Sequence, residues 1–206
     1  NVIADSDGNL VPNPLFAERL QPRIRRAQRA VAKKRKGSKN QQRAQHRVMV
    51  LQRRARRQRE HFLHTTSARY AKSHGVIVIE KLRVQNMTRS AKGTVEEPGR
   101  NVRAKAGLNR SFLGAAPAMF AQMLKYKTER LGGRVLEVLA AYSSQTCVMC
   151  WRVDAASRKG ERFCCTACGH TDHADVNAAK VLLARGLRAL AVEPTVTVCG
   201  GVAARE

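Results

Sequence analysis

The sequence predicts an α/β fold with a small metal-binding segment inserted between the last strand and the last helix. Three observations lead to this prediction. Apolar runs at residues 75–80 and 135–139 have the character of strands, and a helical pattern precedes each of them. Two Cys-x2-Cys pairs follow the second run. A short last helix is expected from Ala174 to about Arg185.

The first 74 residues predict a β-hairpin followed by two basic helices. Residues 2–5 (Val-Ile-Ala-Asp) and the apolar residues 10–11 flank an Asp-Gly-Asn turn, whose residues accept the positive φ angles of a tight hairpin. The pattern from 15 to 74 is helical throughout. Gly37 followed by Ser38 indicates the end of one helix and the cap of the next.

The elements that follow alternate between strand and helix patterns. Residues 75–80 predict a buried central strand, because the run is continuously apolar and follows a helix. Residues 84–108 are polar and predict a loop. Pro117 fits the first turn of a helix that ends near Leu131, and residues 135–139 then predict the second strand.

The charge balance of the chain predicts a polyanionic partner. The 206 residues include 39 Lys and Arg against 15 Asp and Glu, which gives a formal net charge of +24. Nucleic acid is the first candidate partner, and an anionic membrane surface is the second. Aromatic residues make up only 4% of the chain, so contacts with the nucleic-acid backbone should outweigh base stacking. The sequence has no apolar run of membrane-spanning length, and no membrane partner is predicted.

The positive charge is densest in the two predicted basic helices. Between Glu18 and Glu60 there are seventeen Lys or Arg residues and no further acid. Like charges at helical spacing destabilise a helix unless something screens them, so phosphate binding explains this density better than a solvated helix face does. The residues predicted to contact nucleic acid are Arg25, Arg26, Lys33, Lys34, Arg35, Lys36, Arg53, Arg54 and Arg57.

Four cysteines predict one structural zinc ion. Fourteen residues separate the two Cys-x2-Cys pairs, and a tetrahedral zinc site takes four such soft ligands. Two disulfides are the alternative, which the absence of a signal-peptide pattern and the basic composition disfavour. The predicted zinc ligands are Cys147, Cys150, Cys165 and Cys168. Cys164 and Cys199 remain as free thiols, in keeping with a reducing cytosol.

Two carboxylates stand at positions where the predicted fold would build a site. Glu80 ends the first strand, and Asp175 begins the last helix. Paired carboxylates hold Mg²⁺ or Mn²⁺ through oxygen, and such ions support phosphodiester hydrolysis. Glu80 could equally be a strand-end residue that meets solvent, and Asp175 a carboxylate stabilised by the helix dipole. Composition and spacing leave these alternatives open.

Four segments, in this order, carry a resemblance to a known family: Phe62-Leu63-His64, VIVIEKLRVQNM at 76–87, YSSQTC at 142–147 and DVNAA at 175–179. The chain resembles the TnpB (OrfB) family of transposon-encoded RNA-guided DNA endonucleases, which are related to type V CRISPR effectors. The resemblance implies an RNase H-like (RuvC-type) mixed sheet with flanking helices and an inserted zinc ribbon. It also implies that Glu80 and Asp175 are the second and third members of an Asp-Glu-Asp set that holds Mg²⁺ or Mn²⁺.

The same resemblance implies a domain organisation and partners. The expected units are a partial nuclease domain at 1–142 with its basic helical segment at 15–74, a zinc ribbon at 143–170, a final helix at 171–190 and an unassigned tail at 191–206. DNA and a guide RNA are the expected partners. The expected location is the prokaryotic cytoplasm, in association with the nucleoid.

The chain also departs from the family pattern. The first catalytic Asp of the family lies in a Gly-x-Asp-x-Gly strand that has no counterpart in the printed sequence, and neither Asp5 nor Asp7 has that context. Trp151 replaces a Gly that would ease a positive-φ turn after the first cysteine pair. We therefore expect an N-terminally shortened chain that cleaves DNA poorly by itself. A nuclease-inactive binding derivative, either an RNA-guided repressor or a transposase remnant, is the alternative, and a recombinase-type transposase is a third hypothesis.

Overall fold

The computed structural model describes residues 1–192, which form six α-helices and seven short strands. The helices are α1 (Phe16–Ala32), α2 (Lys39–Ser73), α3 (Val84–Met87), α4 (Val102–Ala115), α5 (Pro117–Arg130) and α6 (Ala174–Val192). The strands are β1 (Ile3–Ala4), β2 (Leu10–Val11), β3 (Val76–Glu80), β4 (Arg134–Val138), β5 (Arg158–Lys159), β6 (Arg162–Cys164) and β7 (Thr171–His173). Within residues 1–192, no helix combines the length and the apolar character needed to cross a membrane. The predicted tail at 191–206 begins within α6, and its part from residue 193 onward, with Cys199, lies outside the described residues.

The predicted hairpin at the start of the chain is confirmed. β1 and β2 pair antiparallel, and Gly8 in the turn has a φ of 91°. The Oδ1 atom of Asp5 accepts the backbone N–H of Asn9 at 2.8 Å, and its Oδ2 atom accepts the Tyr70 hydroxyl of α2 at 2.9 Å. Burial alone would raise the pKa of Asp5, but these hydrogen bonds outweigh it and lower that pKa. Asp5 thus fastens the hairpin to α2.

The two predicted basic helices are present, and they pack against each other as a helical hairpin. Gly37 adopts a φ of 79° after α1, and the Ser38 hydroxyl accepts the backbone N–H of Gln41 at 3.2 Å to cap α2. Leu20 and Ile24 are the buried residues of α1. These apolar contacts leave the charged faces of both helices in solvent.

β3 and β4 form a parallel pair, which corrects the prediction of a buried central strand. Among residues 1–192, β3 pairs with β4 alone, and Val76 is 39% exposed. The free edge of β3 borders a cavity of about 430 Å³ that the β1–β2 hairpin, α5 and α6 also line. A continuous apolar run shows that a strand meets apolar neighbours, but it does not show how many strands flank it.

Residues 84–108 were expected to be a loop, and this prediction is wrong where α3 and the first half of α4 lie. Neither helix buries a residue, so neither contributes an apolar face to the core. Their contact is polar: the Asn109 side chain donates to the carbonyl of Thr88 at 2.8 Å. By contrast, α5 begins at Pro117 as predicted, while α6 runs further than expected, to Val192.

α6 lies across the β3–β4 pair at a contact that only glycine fits. A methyl group at Gly186 would lie 2.5 Å from Cγ2 of Val78 and 2.8 Å from its Cγ1. The preceding residue, Arg185, donates from Nη1 to the carbonyls of Leu139 and Ala141 at 3.1 and 2.9 Å, just after the end of β4. The position of α6 over the sheet therefore depends on one close approach and one pair of hydrogen bonds.

We predict that Gly186→Ala destabilises the fold because the added methyl group overpacks the contact with Val78. Gly107 in α4 has open space around it, so Gly107→Ala is the matched control. Both changes gain the same helix propensity, about 1 kcal/mol. The free energy of unfolding, measured by urea denaturation, should be about 1–3 kcal/mol lower for Gly186→Ala than for Gly107→Ala.

The double variant Gly186→Ala with Val78→Ala provides the second control for this contact. Removing the Val78 methyl groups makes room for the new one, so the penalty of Gly186→Ala should shrink in that background. Equal stabilities of the two single glycine variants would show that α6 does not need this close approach.

Candidate functional site

The four predicted zinc ligands come together in one cluster. The Sγ atoms of the cysteines at 147, 150, 165 and 168 all lie within 4.8 Å of one another. The Cys147–Cys168 and Cys150–Cys165 sulphur pairs are each 3.6 Å apart. A metal ion with four sulphur ligands at its usual bond length has sulphur–sulphur edges of about 3.8 Å. The cluster therefore fits a tetrahedral metal ion, and Cys164 lies outside it.

The two cysteine pairs sit in turns of the same design. In the first, the backbone N–H of Trp151 donates to the carbonyl of Cys147 at 2.9 Å; in the second, Gly169 donates to Cys165 at 3.1 Å. Trp151 and Gly169 occupy equivalent positions and have φ angles of 62° and 73°. The prediction that Trp151 stands where a glycine would ease the turn is confirmed, and a bulky residue there carries strain of about 1–2 kcal/mol.

The strained tryptophan makes a contact that a glycine would lack. The guanidinium carbon of Arg188, on α6, lies 4.2 Å from the centre of the Trp151 ring. Such cation–π contacts contribute about 0.5–2 kcal/mol, which is comparable to the cost of the backbone conformation. Trp151 thus joins the first cysteine turn to α6.

The pKa values of the two thiols in the second turn shift in opposite directions. Backbone N–H groups of Cys168 and then Ala167 lower the pKa of Cys165 to about 6. The His170 N–H acts in the same direction on Cys168, but burial and the neighbouring sulphurs outweigh it and raise the pKa of Cys168 to about 12. Protein groups alone therefore favour the thiolate of Cys165 and disfavour that of Cys168, and a bound cation would favour ionisation of both.

Asn177 joins the metal cluster to α6, and the sequence did not reveal this role. Its side chain is fully buried; it donates to the carbonyl of Thr146 at 2.7 Å and accepts the backbone N–H of Val148 at 3.2 Å. These two backbone groups flank Cys147. Asn177 lies in the DVNAA segment that carried the family resemblance, and this segment was the signal from which its importance could have been inferred.

Asp175 lies in the first turn of α6, beside the strands of the cysteine segment. Its Oδ1 atom accepts a hydrogen bond from Nη2 of Arg158 in β5 at 3.1 Å, and its backbone N–H donates to Nδ1 of His173 at 3.2 Å. The Asp175 side chain is 39% exposed. The carboxylate is thus anchored on one oxygen and open to solvent.

Glu80 lies at the carboxyl end of β3, opposite Val138 in β4. It lines the 430 Å³ cavity together with Ala179, Leu182 and Leu183 of α6. The residue keeps contact with solvent, but partial burial raises the pKa of its carboxyl group. Glu80 therefore carries its charge in a less hydrated place than an ordinary surface glutamate.

α6 carries Asp175 and also lines the cavity that Glu80 lines. Ala179 follows Asp175 by four residues, and side chains four residues apart lie on one helix face. Since Ala179 lines the cavity that Glu80 also lines, Asp175 lies one turn from that cavity. Within residues 1–192, the cysteines are the only group of three or more possible ligands within 4.8 Å, and Glu80 and Asp175 do not belong to such a group.

The predicted nucleic-acid contacts all lie on exposed positions. The nine residues at 25, 26, 33–36, 53, 54 and 57 are exposed, and none forms an ion pair within the described part of the chain. Arg25 and Arg26 also line an open groove of about 580 Å³, to which Arg110 of α4 contributes. The neighbouring Arg56, by contrast, pairs with Glu60 at 2.7 Å. α1 and α2 therefore present unpaired positive charge to solvent.

The sequence of the chain is similar to two family models and to several known proteins. Residues 1–91 match the family model OrfB_IS605, described as a probable transposase, and residues 118–182 match the Cas12f1-like TNB domain. InsQ of Escherichia coli K12, whose name describes an RNA-guided DNA endonuclease, is 40% identical over 187 residues. The chain belongs to the TnpB (OrfB) family. A relative from Streptomyces pristinaespiralis, with a name of the same kind, is 32% identical over 193 residues.

These matches cover nearly all of this chain but less than half of each relative. The InsQ match covers 90% of the chain and 46% of InsQ, and the Streptomyces match covers 93% of the chain and 44% of the relative. The chain thus spans less than half the length of these relatives. The structure of Cas12f1 in complex with guide RNA and target DNA superposes with a TM-score of 0.50 at 19% identity, over 81% of this chain and 41% of Cas12f1. That likeness shows a shared mixed α/β fold.

We predict that the protein binds one metal ion per chain at the cysteine cluster. Cys165→Ser should abolish this binding and lower the thermal stability of the 143–173 segment, because metal binding supplies much of the folding free energy of such small sites. Metal content after gel filtration, measured by atomic emission, is the direct test.

Cys164→Ser is the matched control, since Cys164 is adjacent in sequence but outside the cluster. This variant should keep one metal ion per chain. Loss of the metal in both variants, or in neither, would contradict the assignment of the four ligands.

Proposed function

We propose that this chain supplies the nuclease site and a zinc ribbon to a longer TnpB protein that cleaves DNA under the direction of a guide RNA. The observation that carries the proposal is the packing of α6 on β3. It brings Asp175, at the start of the helix, to within one turn of the cavity that Glu80 lines. Family membership and the names of the relatives support the same activity.

Glu80 and Asp175 would hold Mg²⁺ or Mn²⁺, with a further carboxylate from the longer protein. Their chemistry fits, because hard divalent cations prefer carboxylate oxygens. A bound ion of this kind supplies an activated water and stabilises the charge that develops on the phosphate. Partial desolvation raises the pKa of the Glu80 carboxyl group, and a bound cation would offset that desolvation. Asp175 has one oxygen on Arg158 and its second oxygen available as a ligand.

The metal ion of the cysteine cluster would be zinc, in a structural role. Four thiolates in a closed tetrahedron leave no position for a substrate or a water. Asn177, the Trp151–Arg188 contact and the Lys180–Asp172 ion pair at 2.6 Å all lead from this segment to α6. The zinc ribbon would therefore hold the helix that carries Asp175.

The basic helices α1 and α2 would bind the sugar-phosphate backbone of the guide RNA, the target DNA or their heteroduplex. Their nine exposed cations can neutralise phosphates without reading sequence. An RNA-guided protein needs such contacts, since base pairing with the guide supplies the specificity. We place the protein in the bacterial cytoplasm, on the nucleoid.

In the full-length protein with its guide RNA, we predict that Glu80→Gln and Asp175→Asn each reduce DNA cleavage by about 10³-fold or more. Each change removes a metal ligand worth several kcal/mol in the transition state while keeping the size of the side chain. Cleavage of a labelled target duplex and its binding by gel shift are the two measurements. Binding should persist in both variants.

Glu137→Gln is the matched control, because Glu137 lies on the neighbouring strand opposite Ile79 and pairs with Lys125 at 2.9 Å. Its cleavage rate should stay within a few-fold of the parent rate. Rapid cleavage by Glu80→Gln or Asp175→Asn would refute the assigned site. If the parent protein binds its target but never cleaves it, the chain is a binding protein instead.

We predict that replacing Arg53, Arg54 and Arg57 together with Gln weakens nucleic-acid binding and flattens its salt dependence. Removing one phosphate contact lowers the slope of log K against log salt by about 0.9 for a duplex. Fluorescence anisotropy of a labelled duplex between low and physiological salt gives this slope.

Arg56→Gln serves as the control for this series, since Arg56 already pairs with Glu60 on the same helix. It should change the slope by clearly less than the value expected for one phosphate. An unchanged slope in the triple variant would show that this face of α2 does not contact phosphate.

A further inference from the structure

The carboxylate of Asp175 already has a cationic partner inside the protein. Nη2 of Arg158 lies 3.1 Å from its Oδ1 atom, and Nε of Arg158 donates to the carbonyl of Gly160 at 3.2 Å. The guanidinium is therefore held on one side by its own β-turn and on the other by the first turn of α6. Both charged side chains keep solvent contact, at 34% and 39% exposure.

This ion pair is not needed to dock the cysteine segment on α6. The buried side chain of Asn177 already bonds to the backbone on both sides of Cys147. The Lys180–Asp172 pair and the Trp151–Arg188 contact add two further connections. An exposed ion pair contributes little stability beside these. Its main consequence is that a cation occupies one oxygen of the Asp175 carboxylate.

Arg158 is also distinct from the other cations of the same β-hairpin. Lys159 and Arg162 face each other across β5 and β6, and both are exposed. Among the ion pairs of residues 1–192, neither of them has an acidic partner. The hairpin thus carries three cations, of which one is directed at Asp175.

We propose that Arg158 is a resident cation that competes with a divalent metal ion for Asp175 and is released when a nucleic-acid phosphate binds its guanidinium. This inference rests on the proposed function, in which Asp175 is a metal ligand. A cation at hydrogen-bond distance from one carboxylate oxygen repels a second cation at the other oxygen and so lowers its affinity. A phosphate presents the paired oxygens that a guanidinium binds well, and a phosphate of the substrate backbone can draw Arg158 away.

The release of Arg158 would couple metal binding to substrate binding. Without nucleic acid, the ion pair keeps the affinity of Asp175 for metal low. With a phosphate on Arg158, the carboxylate is free and its affinity for metal rises. By thermodynamic linkage, the metal ion then strengthens the binding of that phosphate to the same extent. The site would be loaded with metal mainly when DNA is present.

The test is Mn²⁺ binding to the full-length protein, measured by the electron paramagnetic resonance signal of free Mn²⁺. Titrations are made with and without a DNA duplex whose phosphorothioate linkages resist cleavage. Arg158→Gln should bind Mn²⁺ about two- to fivefold more tightly than the parent without DNA, as expected for the loss of one exposed charge partner. The duplex should tighten Mn²⁺ binding by the parent and have clearly less effect on the variant.

Two variants control for charge. Lys159→Gln removes an unpaired cation from the same hairpin and should leave Mn²⁺ affinity at the parent level. Arg158→Lys keeps the positive charge and should keep the weak binding of the parent. A metal content of one zinc per chain in each variant shows that the cysteine segment is intact.

Unchanged or weaker Mn²⁺ binding by Arg158→Gln would overturn the proposal, as would an equal gain from Lys159→Gln. Asp175→Asn separates this failure from failure of the proposed function. If Asp175→Asn weakens Mn²⁺ binding while Arg158→Gln has no effect, only the role of Arg158 is wrong. If Asp175→Asn leaves Mn²⁺ binding unchanged, the metal site and the role of Arg158 both fall.

Discussion

Repulsion among four closely placed thiolates is the constraint on which the C-terminal part of this chain depends. Sulphurs 3.6 Å apart repel one another when they ionise, and burial with the neighbouring sulphurs raises the pKa of Cys168. A bound metal ion would offset this repulsion and hold both cysteine turns. Asn177 connects the first cysteine turn to α6, because its buried side-chain amide forms hydrogen bonds with the backbone on both sides of Cys147. The position of Asp175 follows from that of the helix.

α6 is consequently the element on which the two halves of the proposed nuclease site meet. At one end, it is tied to the metal-binding segment; further along, Gly186 lets it lie directly on Val78 of β3. Glu80 is two residues beyond Val78 in the same strand.

Local signals in the sequence predicted the fold well, whereas contacts between distant residues stayed hidden. Gly37 with Ser38 marked a helix boundary because capping involves only neighbouring residues. α4 was missed because none of its residues is buried, so it has no side chains facing a core. The cysteine spacing identified the cluster, but the role of Asn177 was not visible, since its partners lie about thirty residues earlier in the chain. The Arg158–Asp175 pair was hidden for the same reason.

The strained Trp151 gives this chain an optical property as well as a structural one. It is the single tryptophan among the 206 residues, it follows Cys150 directly, and its ring stacks on Arg188 of α6. Its intrinsic fluorescence therefore senses both the state of the adjacent thiolates and the docking of the helix. Within this chain, no second indole obscures that signal. Metal loading and helix docking can thus be followed in real time without attaching a dye.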